Sequence, residues 1–222
     1  SADPLLVPAP MNSQTEKISL EGAAGAIEVQ RDQPAGAARG VAVIAHPHPL
    51  FGGTMDNKVV QTLARAFIAN GWTALRFNFR GVGGSAGVHD EGQGECEDML
   101  ALIEQAAPQG PLAIAGFSFG AFVACSALQR VWPARDVRQI VLVGTAAARF
   151  TVPPVPPEAH DRTLVVHGEH DDTVPLAAAM DWARPQLLPV TVVPGGGHFF
   201  HGQLPLLKNL VSRHLRAGER PS

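Results

Sequence analysis

The chain of 222 residues contains no tyrosine at all. Any mechanism that needs a phenol as acid, base or oxyanion donor is excluded, and with it the tyrosine-lysine hydroxyl dehydrogenases. Cysteine is scarce: Cys96 and Cys125 are the two, both in segments that read as helices. That usage suits reduced thiols better than a disulfide scaffold, and neither is flanked by a metal-ligand spacing. A large excess of charge of one sign is also missing, since the formal net charge is -3 and the pI is near 6.3. There is no basic field for nucleic acid and no polybasic helix for an anionic membrane surface. No apolar run is long enough to span a bilayer, and Ser1 to Pro10 shows no basic region followed by a long apolar stretch. The expectations are a cytoplasmic protein, no nucleic-acid partner, no membrane insertion and a small, nearly neutral substrate.

What is present is 45% hydrophobic residues, an ordinary content for one domain with a sizeable core. A Pro-rich, loose segment is expected over residues 1–15, a single domain over 16–217 and a tail over 218–222. Glu16 to Leu20 and Ala26 to Arg31 read as two short strands across a Gly-rich turn. From Val41 onward apolar strands alternate with helices. The strands are Val41–Ala45, Thr73–Phe79, Leu112–Phe117, Gln139–Val143, Thr163–His167 and Val190–Val193. The helices run over about 57–70, 94–106, 121–130, 176–184 and 204–216. Near-continuous apolar strands separated by helices predict an α/β fold, a mostly parallel sheet covered on both faces. Between Gly144 and Arg162 the run Val152-Pro153-Pro154-Val155-Pro156-Pro157 lacks the amide hydrogens a helix requires. That connection has room for a loop and no lid.

Gly116-Phe117-Ser118-Phe119-Gly120 fits Gly-x-Ser-x-Gly, between an apparent buried strand and a helix. A sharp strand-to-helix turn would lift the Ser118 hydroxyl above the sheet and aim the first helical amides at whatever it attacks. In a chain with 23 Gly the pattern also arises by chance, so its neighbours decide. A serine needs a histidine as base and an acid to hold that histidine. Both occur in the order Ser, Asp, His. Gly168-Glu169-His170-Asp171-Asp172 follows one strand, and Gly195-Gly196-Gly197-His198 follows the next. Each candidate lies just past the carboxyl end of a strand, on the edge that carries Ser118.

Taken together, Gly-x-Ser-x-Gly, the run His167-Gly168-x-x-Asp171-x-x-Val174-Pro175 and a histidine after a glycine-rich loop resemble the α/β-hydrolase superfamily. His46-Pro47-His48-Pro49-Leu50-Phe51-Gly52-Gly53 and Arg76–Ser85 look like blocks of small, lidless bacterial serine hydrolases related to the dienelactone hydrolases. The resemblance covers the chain from about Glu16. It implies a single three-layer α/β/α domain with an antiparallel N-terminal hairpin and no lid domain. Ser118 stands where the dienelactone hydrolases have a cysteine. Asp171, rather than Asp172, aligns with the family acid, and His198, directly after the glycine turn, is favoured over His201. The resemblance further implies an oxyanion hole formed by the backbone N–H groups of Phe119 and Leu50. Pro47 and Pro49 have no such hydrogen to offer, which leaves His48, Leu50 and Phe51 in that stretch, and Leu50 is the one that matches the family's donor position.

The activity implied is cleavage of a small carboxylic ester through an acyl-enzyme, with a small-molecule acyl substrate and no cofactor or metal. A peptidase or thioesterase on the same triad, or a hydrolase-like scaffold used only for binding, is the alternative. Phe51, Phe150, Phe199 and Phe200, with Phe119, fall near loop ends at the catalytic edge and could line an apolar pocket. His46 and His48 form a His-x-His pair with no obvious third metal ligand. Gly81-Val82-Gly83-Gly84-Ser85-Ala86 fits the dinucleotide fingerprint but opens no helix, so a tight loop anchored by Arg80 is the expectation. His167 and His170 are expected to be structural, and His89, His160 and His214 to be ordinary loop or surface residues.

Overall fold

A computed structural model describes residues 11–12 and 14–219. The expectations for residues 1–10, for Ser13 and for the last three residues of the tail lie outside them. Of the segment expected to be loose, Met11 packs against the core, and the side chains of Asn12 and Thr15 donate to the Asp32 carboxylate.

The strands are β1 (Glu16–Gly22), β2 (Gly25–Asp32), β3 (Val41–Ala45), β4 (Thr73–Phe77), β5 (Leu112–Phe117), β6 (Val137–Val143), β7 (Thr163–Gly168) and β8 (Thr191–Val193). The helices are α1 (Lys58–Ala69), α2 (Gln93–Ala106), α3 (Phe119–Val131), α4 (Leu176–Ala183) and α5 (Leu204–Ala217). One sheet holds all eight strands in the order β1-β2-β4-β3-β5-β6-β7-β8. β1 and β2 form an antiparallel hairpin that joins β4 antiparallel, and every pairing from β4 to β8 is parallel. The chain steps from β3 outward to β4, then returns across β3 to start β5. That reversal opens a crevice at the carboxyl ends of β3 and β5, the place where such sheets bind ligands.

Alternation along the strands builds two cores. Val43 and Ala45 of β3 face one layer with Leu75, Ile114 and residues of α2 and α3, including Met99, Leu102, Val123 and Leu128. Ala42 and Ile44 face the other, with Ala113, Ala115, Phe67 of α1 and Leu207, Val211 and Leu215 of α5. Asn57 caps α1 by accepting from the Val59 and Val60 amides. Cys96 and Cys125 are free and buried; burial pushes their thiols up to about 11 and 12, which makes them poor nucleophiles. Among the described residues no helix is long and apolar enough to cross a membrane.

Two boundaries differ from the sequence expectation for a physical reason. β4 ends at Phe77, because the Phe79 amide leaves the ladder to donate to the His46 ring (3.0 Å). The connection after β6 is not wholly irregular: it ends in a short 3-10 helix, Pro157–Arg162, opened by proline. Val152, Val155 and Ala159 press this connection onto the core, and no lid domain rises from it.

Candidate active site

Ser118 links β5 to α3 with φ 59° and ψ -119°, a conformation an L-residue adopts only when its surroundings enforce it. The surroundings are backbone. A Cβ on Gly116 would stand 2.3 Å from the Gly120 carbonyl oxygen, and one on Gly120 would stand 2.2 Å from that of Ala45. The two flanking glycines are therefore required by close approach. The Ser118 amide donates to Val143 of β6 (2.8 Å), which pins the turn to the sheet edge. At the start of α3 the Phe119 N–H has no partner among the described residues and carries the positive end of the helix dipole.

The loops after β7 and β8 deliver the other two groups. His198 Nε2 lies 3.1 Å from Ser118 Oγ, and His198 Nδ1 lies 2.6 Å from Asp171 Oδ2. Asp171 Oδ1 accepts from the Thr173 and Val174 amides at 2.9 and 2.7 Å, so both carboxylate oxygens are held. Burial pushes the Asp171 carboxyl up, yet bonds from His198 and the Val174 amide, with the neighbouring imidazoles, outweigh it and leave its pKa below the usual carboxylate value. All three side chains are buried. The two loops lock together, since a Cβ on Gly168 would meet the Gly196 carbonyl at 2.5 Å. His167, buried and bonded through Nε2 to the Val174 carbonyl (2.7 Å), braces the turn that presents Asp171. Asp172 and His201 are exposed, and His170 sits at the surface beside Glu169.

The loop after β3 corrects one expectation. The Leu50 amide is already engaged: it donates to Nδ1 of His48 (3.2 Å), which caps the short 3-10 turn Pro49–Phe51. Leu50 itself is exposed. The Phe51 and Gly53 amides both donate to the His48 carbonyl. The His48 amide makes no hydrogen bond among the described residues, and the His48 ring lies 4.8 Å from that of Phe119. The loop after β3 thus keeps one N–H without a partner among the described residues, as α3 does at Phe119. His46, two residues earlier, is buried with both ring nitrogens engaged, one by the Pro47 carbonyl (2.7 Å) and one by the Phe79 amide. Burial holds its pKa down to about 3, so it is a neutral brace with no nitrogen left for a metal.

A cavity of about 330 Å³ opens over Ser118 and His198. Phe51, Phe119, Phe150 and Phe199 line it together with His48. Phe200 does not. The turn at residues 197–200 gives Phe200 a φ of 52° and swings it inward, where it is 1% exposed and packs in the core with Leu207. Two neighbours of the cavity were not anticipated. Arg149 lines it, with its guanidinium 5.0 Å from the centre of the Phe51 ring. His89 is buried against Glu95, and its ring stands 4.8 Å from His48 and 5.5 Å from Phe119. The signal for Arg149 was topological, because it lies six residues past β6, on the same sheet edge as Ser118; nothing in sequence marked His89. Arg80 clamps the glycine loop as expected, through two bonds to Asp98 of α2 (2.8 and 2.9 Å).

Residues 48–163 match the model of the α/β-hydrolase fold family. A lidless α/β serine hydrolase from Xanthomonas campestris is 31% identical, with 97% of this chain and 100% of that chain covered and a TM-score of 0.82. The chain belongs to the α/β-hydrolase family. An α/β serine hydrolase homologue from Coxiella burnetii is 37% identical over 90% of this chain and 97% of that one, with a TM-score of 0.75. An uncharacterized protein of Rickettsia prowazekii is 41% identical over 118 residues, 51% of this chain and 50% of the relative, so about half the length of that curated relative is matched. In α/β-hydrolase terms the site offers a hydroxyl, an imidazole and a carboxylate in series in an aromatic pocket. That arrangement can perform acyl transfer.

Proposed function

We propose that this α/β-hydrolase is a serine hydrolase that cleaves small carboxylic esters through an acyl-enzyme. The observation that carries the proposal is the unbroken series Ser118 Oγ, His198, Asp171, with contacts of 3.1 and 2.6 Å. Ser118 Oγ bonds to the ester carbonyl carbon as its proton passes to His198 Nε2, and the carbonyl electron pair moves onto oxygen. The Phe119 and His48 amides receive that oxyanion. Collapse breaks the bond to the alcohol oxygen, which leaves with the proton from His198. Water then repeats the sequence, releasing the acid and restoring the Ser118 hydroxyl. Asp171, kept ionised by its bonds, holds the imidazole in the tautomer with its free nitrogen toward Ser118 and stabilises the imidazolium.

The test is turnover of p-nitrophenyl acetate together with labelling by a fluorophosphonate, which reacts only with an activated serine. Ser118→Ala is expected to lower kcat by roughly 10^4 to 10^6 and to abolish labelling. Hydrolysis by Ser118→Ala at the wild-type rate would sink the assignment. Wild-type protein that neither labels nor turns over would mark a binding scaffold instead.

A further inference from the structure

The cavity over Ser118 is walled by aromatic rings, and its polar lining is as informative. Its charged lining is a single side chain, Arg149, and no carboxylate faces it. Among the described residues Arg149 has no carboxylate within 4.0 Å, unlike Arg80, which is paired with Asp98 beside the glycine loop. Glu91 and Glu95, on the loop and helix start beside His48, turn to His89, at 3.3 and 3.4 Å. A smaller neighbouring cavity, about 200 Å³, shares Asn57 and Phe199 with it and adds Lys58 and His201, again with no carboxylate. In a protein of net charge -3 the residues lining these two cavities are thus cationic and neutral alone.

The guanidinium is also tethered. It lies over the Phe51 ring, 5.0 Å from its centre, a cation–π contact that ties it to the apolar wall. A guanidinium offers its N–H donors in a planar fork that matches a carboxylate. A phosphate dianion would call for a second fixed cation at the same spot, and none lines this cavity. From this geometry we infer that the pocket selects esters carrying a free carboxylate on the part that occupies the aromatic cavity, with Arg149 as the specificity-determining residue. The inference rests on the Ser118 hydrolase reading for its chemistry, and it replaces the nearly neutral substrate that overall charge suggested.

Binding to the Ser118→Ala protein tests it without turnover. Monobenzyl glutarate, a half-ester with one free carboxylate, is compared by calorimetry with its neutral counterpart, benzyl methyl glutarate. The half-ester is expected to bind about tenfold more tightly, and less so in 0.5 M salt, because the anchor is electrostatic and partly exposed. Arg149→Gln should bring the ratio of the two affinities to about one, and Arg149→Glu should invert it. A ratio near one in the parent protein overturns the inference, as does a ratio that Arg149→Gln leaves intact or that Lys58→Gln abolishes instead. Fluorophosphonate labelling of wild-type Ser118 is scored separately, so loss of the anion preference and loss of the hydrolase reading are told apart.

Discussion

Around Ser118 one set of groups, Asp171, His198 and His46, is buried, with polar atoms held by bonds of 2.6 to 3.1 Å. A second set, Phe51, Arg149 and Phe199, forms an exposed wall held by ring contacts of 4.8 to 5.8 Å rather than by hydrogen bonds. The first wall is over-determined: each group is fixed by at least two partners on different loops, so its geometry survives without substrate. The second is adaptable, and what it fixes is shape and the sign of charge. Chemistry needs a placement within a fraction of an ångström, whereas recognition of a small ester needs area and one oriented charge. Substitutions should accordingly act on rate at the buried wall and on substrate choice at the exposed one.

The sharpest break is expected at Asp171. In Asp171→Asn the side-chain oxygen can still accept from the Thr173 and Val174 amides, so the turn should hold. The amide nitrogen then faces His198 Nδ1, where the carboxylate was. A donor there drives the imidazole proton to Nε2, the nitrogen that must accept from Ser118, and leaves the imidazolium uncompensated. A fall in kcat of about 10^4 is expected, with little change in KM. The same variant should label with fluorophosphonate correspondingly slowly while its thermal unfolding stays near wild type. Retention of more than a tenth of the wild-type kcat would mean that His198 is oriented by the loop alone.

His46 tests whether the buried wall depends on a neutral brace. Its folded pKa, about 3 against 6.5 for an ordinary histidine, is depressed by burial. The unfolded chain therefore takes up a proton at His46 below pH 6.5 that the folded chain refuses until about pH 3. Stability from this group is full above 6.5 and declines steadily as pH falls through that window. Between pH 7 and pH 5 the loss should be roughly 2 kcal/mol, readable as a lower urea midpoint. The half-buried His214 is shifted down by the same cause and adds to the slope in the same direction. His46→Asn should be less stable at pH 7 but show a shallower pH dependence; an unchanged slope would place the acid sensitivity elsewhere.

How much was legible follows the same division. The elbow, the order Ser118, Asp171, His198 and the boundaries of β3, β5 and α1 are written in local pattern: glycines where backbones touch, apolar runs, a capping asparagine. The Leu50 and Phe200 expectations failed because each turned on the rotation of one residue in a tight turn. His48 takes the Leu50 amide for its own cap, and a positive φ sends Phe200 into the core. No sequence pattern encodes which of two adjacent phenylalanines faces inward when the backbone leaves its regular alternation. Arg149 and His89 became visible only when loops far apart in the chain were brought to one edge of the sheet.

The smallest effect is expected at Phe150, where the exposed wall meets the core. Its ring is stacked on Phe122 at 4.7 Å and stands 5.3 Å from Phe119, so it is both a wall of the cavity and a prop for the start of α3. Truncation in Phe150→Ala would open the cavity toward Phe122 without touching Ser118, His198 or Asp171. If the ring limits acyl length, kcat/KM for p-nitrophenyl octanoate relative to the acetate should rise about tenfold, the scale on which an apolar pocket discriminates by size. The acetate rate should fall only modestly, because the buried wall keeps its bonds. A parallel fall for both esters would make Phe150 a prop alone, and the acyl limit would then lie with Phe51 and Phe199. A rise confined to the longer ester would show that the two walls are separable, one setting how fast the bond breaks and the other which bond is offered.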